Sequence, residues 1–206
     1  SYQKNIKYIS LLGYGETLLD NDIIKKVKLI KKMKFKGVGI PTNCTQLNGQ
    51  MSFSLIGAGL DTIICSIDGF TKETHESIRI GTNFDKIVEN VKKFIIIRND
   101  LYSINNKTYK TKVIIRFIRQ KLNYNEWDDF YNYWTPLLSK EFGDDVIKYD
   151  VHSCGDKLEN YNNVSINNDL NNSIINDDYI CEDIFNRFII LSNGDVTMCC
   201  VSSDED

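Results

Sequence analysis

The chain has 206 residues, of which 42% are hydrophobic and 26% charged, with two prolines and a formal net charge of −3. This composition excludes a disordered tail, a collagen-like repeat and a mini-protein, because folding at this length buries roughly 70% of the surface that the unfolded chain exposes. The lysines are spread along the chain, which argues against a nucleic-acid partner, and there is no long apolar run or leader pattern, so we expect a cytoplasmic protein without a membrane span.

Strand and helix patterns alternate along the first 157 residues. Short runs of β-branched and apolar residues predict strands, and amphipathic segments predict helices. The predicted strands are Ile6–Leu12, Gly37–Thr42, Asp61–Ile67, Lys112–Ile118 and Val146–His152, and the predicted helices begin near Asp20, Asn83 and Asn125. The alternation predicts an α/β fold of parallel strands and crossover helices, whose ligands bind at the carboxyl ends of the strands.

The pattern changes after residue 157. Residues 158–178 are rich in asparagine and lack periodicity, which is typical of a linker or a long surface loop. Beyond them, Phe188–Leu191 and Val196–Met198 flank the turn sequence Ser192–Asp195, which predicts a short hairpin. We therefore predict a first domain over residues 1–157, a linker over 158–178 and the start of a smaller domain over 179–206.

Two glycines and a carboxylate directly follow the first predicted strand, as Gly13, Gly15 and Glu16. Glycines at such a position let the backbone approach a ligand closely, and the Glu16 carboxylate can accept hydrogen bonds from an amino group. The alternative is an ordinary turn between a strand and a helix, because isolated glycine motifs are weak signals. Both interpretations stay open on this motif alone.

Polar side chains also follow the third predicted strand. Ser66 and Asp68 are two residues apart and therefore lie on one face, which suits the hydroxyls of a ribose, although Asp68 could instead form an Asx turn. Arg79 follows in a helical turn, where its guanidinium could hold a ligand carboxylate through two hydrogen bonds. A surface ion pair of Arg79 with Glu73 or Glu76 is the alternative.

The cysteines fall into two classes. Cys65 lies within an apolar strand and is interpreted as a small core residue. Cys181, Cys199 and Cys200 flank the predicted hairpin, whose Gly194 turn would bring thiolates of both arms to one end, as in zinc or iron–sulfur sites. Unpaired thiols are the alternative, and three cysteines cannot complete a site of four ligands.

His75 and His152 are the two histidines of the chain. His75 lies at a polar helix start, where we expect it to be solvated. His152 ends a predicted strand and, with Asp150 and Arg116, is a candidate to line the mouth of the fold. No triad with a serine or cysteine nucleophile can be assembled around either histidine.

Taken in order, these segments resemble the radical S-adenosylmethionine (SAM) enzymes that carry a C-terminal SPASM or twitch extension. Gly13–Leu19 resembles the family's GGEPLL segment, with two departures, and Thr42–Cys44 resembles its TNG strand end, with cysteine in place of glycine. Gly59–Val91 resembles the block around the family's fourth strand. The Cys-x12-Gly-x4-Cys spacing of Cys181–Cys199 fits the opening of the SPASM pattern.

The resemblance implies a partial (βα)6 TIM-like barrel that lacks its first βα unit, followed by the start of a SPASM/twitch hairpin domain. It implies SAM, a [4Fe–4S] cluster and an auxiliary [4Fe–4S] cluster as cofactors. Reductive cleavage of SAM would yield a 5′-deoxyadenosyl radical that abstracts hydrogen from a peptide or small metabolite. We expect an oxidoreductase or maturase-type enzyme with an electron donor such as flavodoxin or ferredoxin.

The resemblance also assigns roles by position. As SAM contacts it implies Gly13, Gly15 and Glu16 for the amino group, Ser66 and Asp68 for the ribose, and Arg79 for the carboxylate. As ligands of the auxiliary cluster it implies Cys181, Cys199 and Cys200.

One departure limits the resemblance. The CxxxCxxC loop that holds the SAM cluster in this family has no counterpart among the six cysteines. We therefore expect a fragment that is truncated at both ends and inactive by itself. Two alternatives are a degenerate, non-catalytic barrel that acts as a binding partner and an unrelated barrel enzyme with a structural zinc.

Overall fold

The computed structural model describes residues 5–12, 15–105, 108–153, 158, 161–166 and 182–197. The chain divides into two compact units, residues 1–149 and 150–206. The first unit contains the sheet and the long helices. The domain boundaries at 157 and 178 that we inferred from the sequence stay predictions.

Strands and helices alternate along the first unit and into the start of the second. The strands are β1 (Tyr8–Ser10), β2 (Gly37–Thr42), β3 (Thr62–Ser66), β4 (Lys112–Arg119) and β5 (Asp145–Asp150). The α-helices are α1 (Ile23–Lys32), α2 (Gly49–Gly57), α3 (Lys72–Ile78), α4 (Phe84–Ile104) and α5 (Trp127–Trp134). Short 3-10 helices cover Thr17–Leu19, Tyr124–Glu126, Thr135–Leu137 and Lys140–Phe142.

The five strands form one sheet in the order β1-β2-β3-β4-β5. The pairings from β1 through β4 are parallel, which confirms the predicted α/β fold. A sequential order without reversal is that of a βα barrel rather than of a doubly wound sheet, and right-handed crossovers then place successive helices on one face. The count of six βα units stays a prediction.

The two faces of the sheet have different neighbours. Phe117 in β4 is fully buried and packs against Trp127 and Phe130 of α5, so its face is covered by helices. Side chains alternate along a strand, and Arg116 therefore lies on the opposite face, which we call the inner face. The parallel register places Ser66 of β3 beside Arg116 on this inner face.

Helix α2 is absent from the elements that the sequence predicted. Its sequence contains two serines and has glycine at both ends, and these residues have low helix propensity. The structure stabilises it in two other ways. The Asn48 side chain accepts a hydrogen bond from the Met51 N–H at 2.9 Å, and Leu55 and Ile56 are fully buried.

A buried ion pair lies at the amino-terminal ends of β4 and β5, the last two strands of this sheet. Arg98 of α4 donates to both oxygens of Asp144 at 2.7 and 2.8 Å, and both side chains are fully buried. Asp144 also accepts from the backbone N–H groups of Val113 and Ser139. This cluster lies at the edge of the sheet opposite the candidate site.

The second unit contains α6 (Tyr161–Val164), α7 (Asp183–Asn186) and an antiparallel pair, β6 (Ile189–Ile190) and β7 (Val196–Thr197). The hairpin predicted at this position is confirmed, and its turn is closed by the Leu191 N–H, which donates to the Asp195 carbonyl at 2.8 Å. Within the described residues, no helix combines the length and apolarity that a membrane crossing requires.

Candidate functional site

Glu16 connects the loops that follow β1 and β2. Its Oε1 accepts from the Leu18 N–H at 3.1 Å and from the Thr42 hydroxyl at 2.6 Å, and its Oε2 accepts from the Asn43 N–H at 2.7 Å. A carboxylate offers about four acceptor positions, so three donors leave one position on Oε2. Glu16 is thereby fixed by its own chain while it keeps one position for an external donor.

A cleft of about 240 Å³ opens beside Glu16. Its walls include Leu11, Gly15 and Lys26. Gly15 has φ of +102°, a left-handed conformation that glycine adopts without strain. Gly13, the other glycine of the predicted motif, lies outside the described residues.

Cys44 stands in the turn after β2 with φ of +64°, which is unfavourable for a residue that is not glycine. Its N–H donates to Thr42 Oγ1 at 2.9 Å, and its carbonyl accepts from the Asn90 amide at 2.9 Å. These contacts hold the strained turn. The positive φ at position 44 is a conformation that glycine adopts without strain, which agrees with the glycine at this position of the TNG motif.

The pKa of the Cys44 thiol depends on its burial and on the charged groups around it. Burial raises its pKa well above the usual value, Cys65 and Glu16 raise the pKa further, and Arg79 lowers it. Cys65 is fully buried, which confirms its prediction as a core residue, and Cys44 is fully buried as well. Hydrogen bonds hold Glu16 at the end of β2 and Arg79 beside Asp68 after β3, and β2 pairs with β3, so the fold places these two oppositely charged groups at the carboxyl edge of the sheet.

Asp68 and Arg79 form an ion pair. Arg79 Nε and Nη2 donate to Asp68 Oδ2 at 2.8 and 2.7 Å, and Asp68 Oδ1 accepts from the Ile118 N–H at 2.8 Å. Asp68 is 4% exposed and forms this pair rather than an Asx turn. The partner of Arg79 is thus Asp68, and neither Glu73 nor Glu76 forms the surface pair considered as the alternative.

Ser66 is held by the neighbouring strand. Arg116 Nη2 of β4 donates to the Ser66 hydroxyl oxygen at 2.7 Å, and Ser66 is buried on the inner face. The Ser66 hydroxyl keeps its own proton to donate. The pairs Ser66–Arg116 and Asp68–Arg79 are neighbours because Ser66 and Asp68 are two residues apart, and we call these four residues the polar cluster.

The expectation that His75 is solvated is wrong. Its side chain is fully buried, its Nδ1 accepts from the Asp68 N–H at 3.2 Å, and its ring lies 5.2 Å from that of Phe84. Burial lowers the pKa of His75 to about 4, and the nearby Arg79 cation lowers it as well. His75 is therefore neutral at pH 7 and supports the Asp68 loop. His152, the other histidine, is exposed.

Two residues that sequence reasoning missed also support this loop. The Glu126 carboxylate accepts from the Phe70 N–H at 2.7 Å and from the hydroxyls of Thr71 and Thr74 at 2.9 and 2.6 Å. Asn123 is fully buried and donates to the carbonyls of Asp68 and Ile118. Both follow β4, more than 50 positions along the chain from the loop they hold, so no local pattern indicates them.

Glu16 and Arg79 carry the two charges that the amino-acid portion of SAM would require of its site. Glu16 keeps one acceptor for an ammonium group, and Arg79 Nη1 has no hydrogen bond to any described residue, so it can donate to a carboxylate. The described residues do not supply ligands for a [4Fe–4S] cluster. Cys181, Cys199 and Cys200 lie outside the described residues, and the residues that are described contain no group of three or more His, Cys, Asp or Glu side chains able to hold a metal ion.

Comparison with known proteins identifies relatives. Residues 2–119 match the family model described as the Radical SAM superfamily. A probable GTP 3′,8-cyclase of Saccharolobus islandicus is 29% identical over 127 residues, which are 59% of this chain and 40% of that protein. A probable GTP 3′,8-cyclase of Methanothermobacter thermautotrophicus is 31% identical over 120 residues, which are 58% of this chain and 36% of that protein.

The chain thus spans about two fifths of the length of the curated relatives it matches. Among solved structures, a domain of pyruvate-formate lyase-activating enzyme from Bacteroides vulgatus aligns with 68% of this chain and 98% of that domain. Its sequence identity is 8% and its TM-score 0.45, a likeness too weak to carry a conclusion about this chain.

Proposed function

The chain belongs to the radical SAM superfamily, and from this membership we propose that its protein binds SAM at the carboxyl edge of the sheet and abstracts hydrogen from a peptide or small-metabolite substrate. The observation that carries the proposal is that Glu16 and Arg79 are held at the carboxyl ends of two neighbouring strands: Glu16 by Thr42 and Asn43 at the end of β2, and Arg79 by Asp68 after β3. These groups supply the negative and the positive charge that a zwitterionic amino acid requires.

Membership of the superfamily implies SAM and a [4Fe–4S] cluster, whose reduction of SAM supplies a radical. The six cysteines of this chain lack the CxxxCxxC spacing, so we do not propose that they hold this cluster. The proposed contribution of the described residues is to bind and orient SAM. A one-electron donor such as flavodoxin or ferredoxin would complete the system.

We propose the following orientation for SAM. Glu16 accepts a hydrogen bond from the ammonium group through the remaining position on Oε2, and Gly15 lines the cleft beside it. The role of Gly13 is proposed from the resemblance of its motif alone. Arg79 Nη1 donates to the carboxylate. Asp68 orients Arg79 through their ion pair, so its effect on SAM passes through that guanidinium.

The ribose of SAM is proposed to lie near Ser66. The Ser66 hydroxyl accepts from Arg116 and keeps a proton to donate to a ribose oxygen. Asp68 lies two residues further on, but both of its oxygens already accept hydrogen bonds from the chain. We therefore propose that Asp68 mainly orients Arg79 and that any hydrogen bond from Asp68 to the ribose is an additional, weaker contact.

We also propose that Cys181, Cys199 and Cys200 contribute to an auxiliary [4Fe–4S] cluster of SPASM or twitch type. The support is the Cys-x12-Gly-x4-Cys spacing together with the hairpin β6–β7, whose turn contains Gly194. On this basis the protein would be an oxidoreductase or maturase-type enzyme. Iron and sulfide analysis of the full-length protein and of a Cys199→Ser variant tests this assignment.

The related GTP 3′,8-cyclases make GTP a compound to include in substrate tests. We do not propose that activity for this protein, because the matched region covers about two fifths of those relatives. A non-catalytic barrel is not favoured, since the family match covers the residues that form the charged site.

Equilibrium binding of SAM to the reconstituted full-length protein tests the proposal. We expect Glu16→Gln and Arg79→Gln each to weaken SAM binding by at least tenfold, because each removes one charge that faces the zwitterion. The matched control is Glu73→Gln, an exposed residue of α3. Wild-type protein that does not bind SAM, or folded Glu16 and Arg79 variants that bind it normally, would overturn the proposal.

A further inference from the structure

Arg116 is a cation without a matching anion. Its Nη2 donates to the neutral Ser66 hydroxyl, its Nε is buried without a hydrogen-bond partner, and within the described part of the chain it forms no ion pair. Burial and the Arg79 cation lower the pKa of Arg116, while Asp68 and Tyr149 raise it. The one carboxylate among these groups, Asp68, already accepts from Arg79 and the Ile118 N–H.

Arg116 therefore lacks an ion-pair partner of its own. Asp68 already pairs with Arg79, and Glu16 lies two strands away at the end of β2, so no carboxylate of the described residues contacts the Arg116 guanidinium. Removing a guanidinium from water without an anionic partner costs free energy. A protein that keeps such a group at the edge of its site gains from it only when a ligand supplies the missing charge.

The position of Arg116 separates it from the amino-acid portion of SAM. Glu16 is held over the end of β2, and Arg116 lies on β4, so β3 stands between them and the two positions are roughly 10 Å apart. The ammonium and carboxylate of an amino acid are attached to the same carbon. A SAM molecule whose ammonium contacts Glu16 would therefore place its carboxylate at Arg79 rather than at Arg116.

We propose that Arg116 binds a phosphate or carboxylate group of the substrate on the inner face of the sheet. This assignment rests on the proposed function and adds the substrate class: an anionic peptide or metabolite. The contacts would be made by Nη1 and by the second N–H of Nη2, which have no hydrogen bonds to described residues and form one edge of the guanidinium. Ser66 fixes the other side of the group.

The test uses the full-length protein with inorganic phosphate and acetate as probes, titrated by calorimetry in the presence of saturating S-adenosylhomocysteine. We expect wild-type protein to bind at least one probe and Arg116→Gln to weaken that binding by tenfold or more. Arg116→Lys keeps the positive charge but lacks the paired N–H donors of the guanidinium, so it should retain part of the anion binding. Lys112→Gln is the control, because Lys112 lies on the same strand and the same face at the opposite edge.

Thermal unfolding separates ligand binding from a structural role. Without added anion, Arg116→Met should melt at or above the wild-type temperature, because it removes an uncompensated charge, whereas an arginine that stabilises the fold would leave a lower melting temperature. Addition of phosphate should raise the melting temperature of wild-type protein but not of Arg116→Met.

Three results would overturn the inference. The first is a failure of both probes to bind wild-type protein, whether or not S-adenosylhomocysteine is present. The second is equal binding by wild type and Arg116→Gln. The third is binding of the probes only in the absence of S-adenosylhomocysteine, together with weaker S-adenosylhomocysteine binding by Arg116→Gln. The last result would assign Arg116 to the SAM carboxylate. Because no turnover is required, a failure of the proposed function would appear separately, as absent SAM binding.

Discussion

Arg79 donates to a single oxygen of Asp68 through both Nε and Nη2, at 2.8 and 2.7 Å. Asp68 is almost fully buried, whereas the Arg79 side chain is 25% exposed, so the pair has one end in the core and one end at the site. This arrangement fixes the direction of the guanidinium and leaves its Nη1 edge open. The ion pair therefore connects the folding of the loop after β3 to the binding of a ligand.

The first prediction concerns this pair. Asp68→Asn should lower the free energy of unfolding by about 2 kcal/mol, because it leaves a partly buried guanidinium without its carboxylate. It should also weaken SAM binding, since Arg79 is no longer oriented. Denaturation in urea measures the stability. Asp85→Asn, which removes the partner of Lys72 in an exposed ion pair, should change it by less than about 1 kcal/mol.

Equal stability losses in the Asp68 and Asp85 variants would contradict this account. So would unchanged SAM binding in a folded Asp68→Asn protein. The first result would mean that burial does not distinguish the two pairs. The second would mean that Arg79 keeps its direction without Asp68.

The second prediction concerns Gly69, whose position excludes a side chain. A Cβ atom there would lie 2.6 Å from the His75 backbone nitrogen and 2.9 Å from its Cα. Gly69→Ala should therefore cost about 1–3 kcal/mol, because backbone must move. Gly57→Ala is the matched control: it lies at the end of α2 with no atom within 4 Å, and it should stabilise by up to about 1 kcal/mol. An unchanged melting temperature in Gly69→Ala would contradict this prediction, because it would show that the loop accommodates a Cβ atom without losing stability.

The third prediction concerns pH. His75 has a pKa lowered from 6.5 to about 4 by burial, so between these values the unfolded chain binds a proton that the folded chain does not. Stability from this group is complete above pH 6.5 and is lost as the pH falls toward 4, by about 3 kcal/mol. The difference in unfolding free energy between wild type and His75→Gln should show this slope. His152→Gln, which alters the exposed histidine, should keep the wild-type profile.

A wild-type profile parallel to that of His75→Gln between pH 4 and 6.5 would contradict the burial of a neutral His75. Carboxylates also titrate near the lower end of this range. Subtracting the variant from the wild type removes their contribution, because both proteins contain the same carboxylates.

The fourth prediction concerns Glu126 as a positioning residue. Its carboxylate accepts from the Phe70 N–H and from two threonine hydroxyls at the start of α3. Glu126→Gln supplies a single acceptor oxygen and places an NH₂ group among donors, so we expect a loss of about 1–2 kcal/mol. Because α3 leads into Arg79, SAM binding should weaken severalfold. Asp129→Asn, on the exposed surface of α5, should change neither quantity.

A purely structural Glu126 would lower the melting temperature without changing the SAM affinity of the folded protein. Binding measured well below the melting temperature distinguishes the two roles. Retention of wild-type affinity by Glu126→Gln would restrict this residue to stability.

The sequence predicts the sheet well because its signals are local. The alternating pattern of Lys112–Ile118 and the glycine that follows β1 reflect properties of neighbouring residues, and the structure contains β4 and the Gly15 turn at these positions. Helix α2 is missed because its stability comes from a cap and from buried Leu55 and Ile56 rather than from propensity.

The partners within the site are harder to predict because they depend on tertiary contacts. Asp68 and Arg79 were both candidates, but their direct pairing depends on how α3 ends, and the local sequence around Arg79 offers acidic neighbours instead. His75 is flanked by Thr74 and Glu76, which indicate a solvated residue, yet the short helix α3 turns this single position toward the core. Glu126 carries no local signal at all.

The central proposal is that the full-length protein binds and cleaves SAM at the carboxyl edge of the sheet, where Glu16 and Arg79 lie at the ends of neighbouring strands. Its most direct test is the amount of 5′-deoxyadenosine formed by the anaerobically reconstituted full-length protein with SAM and a reductant. The account predicts 5′-deoxyadenosine from wild type and Glu73→Gln, and at least a tenfold lower yield at subsaturating SAM from Glu16→Gln. Absence of 5′-deoxyadenosine from the iron-loaded wild type, or an equal yield from folded Glu16→Gln, would contradict it.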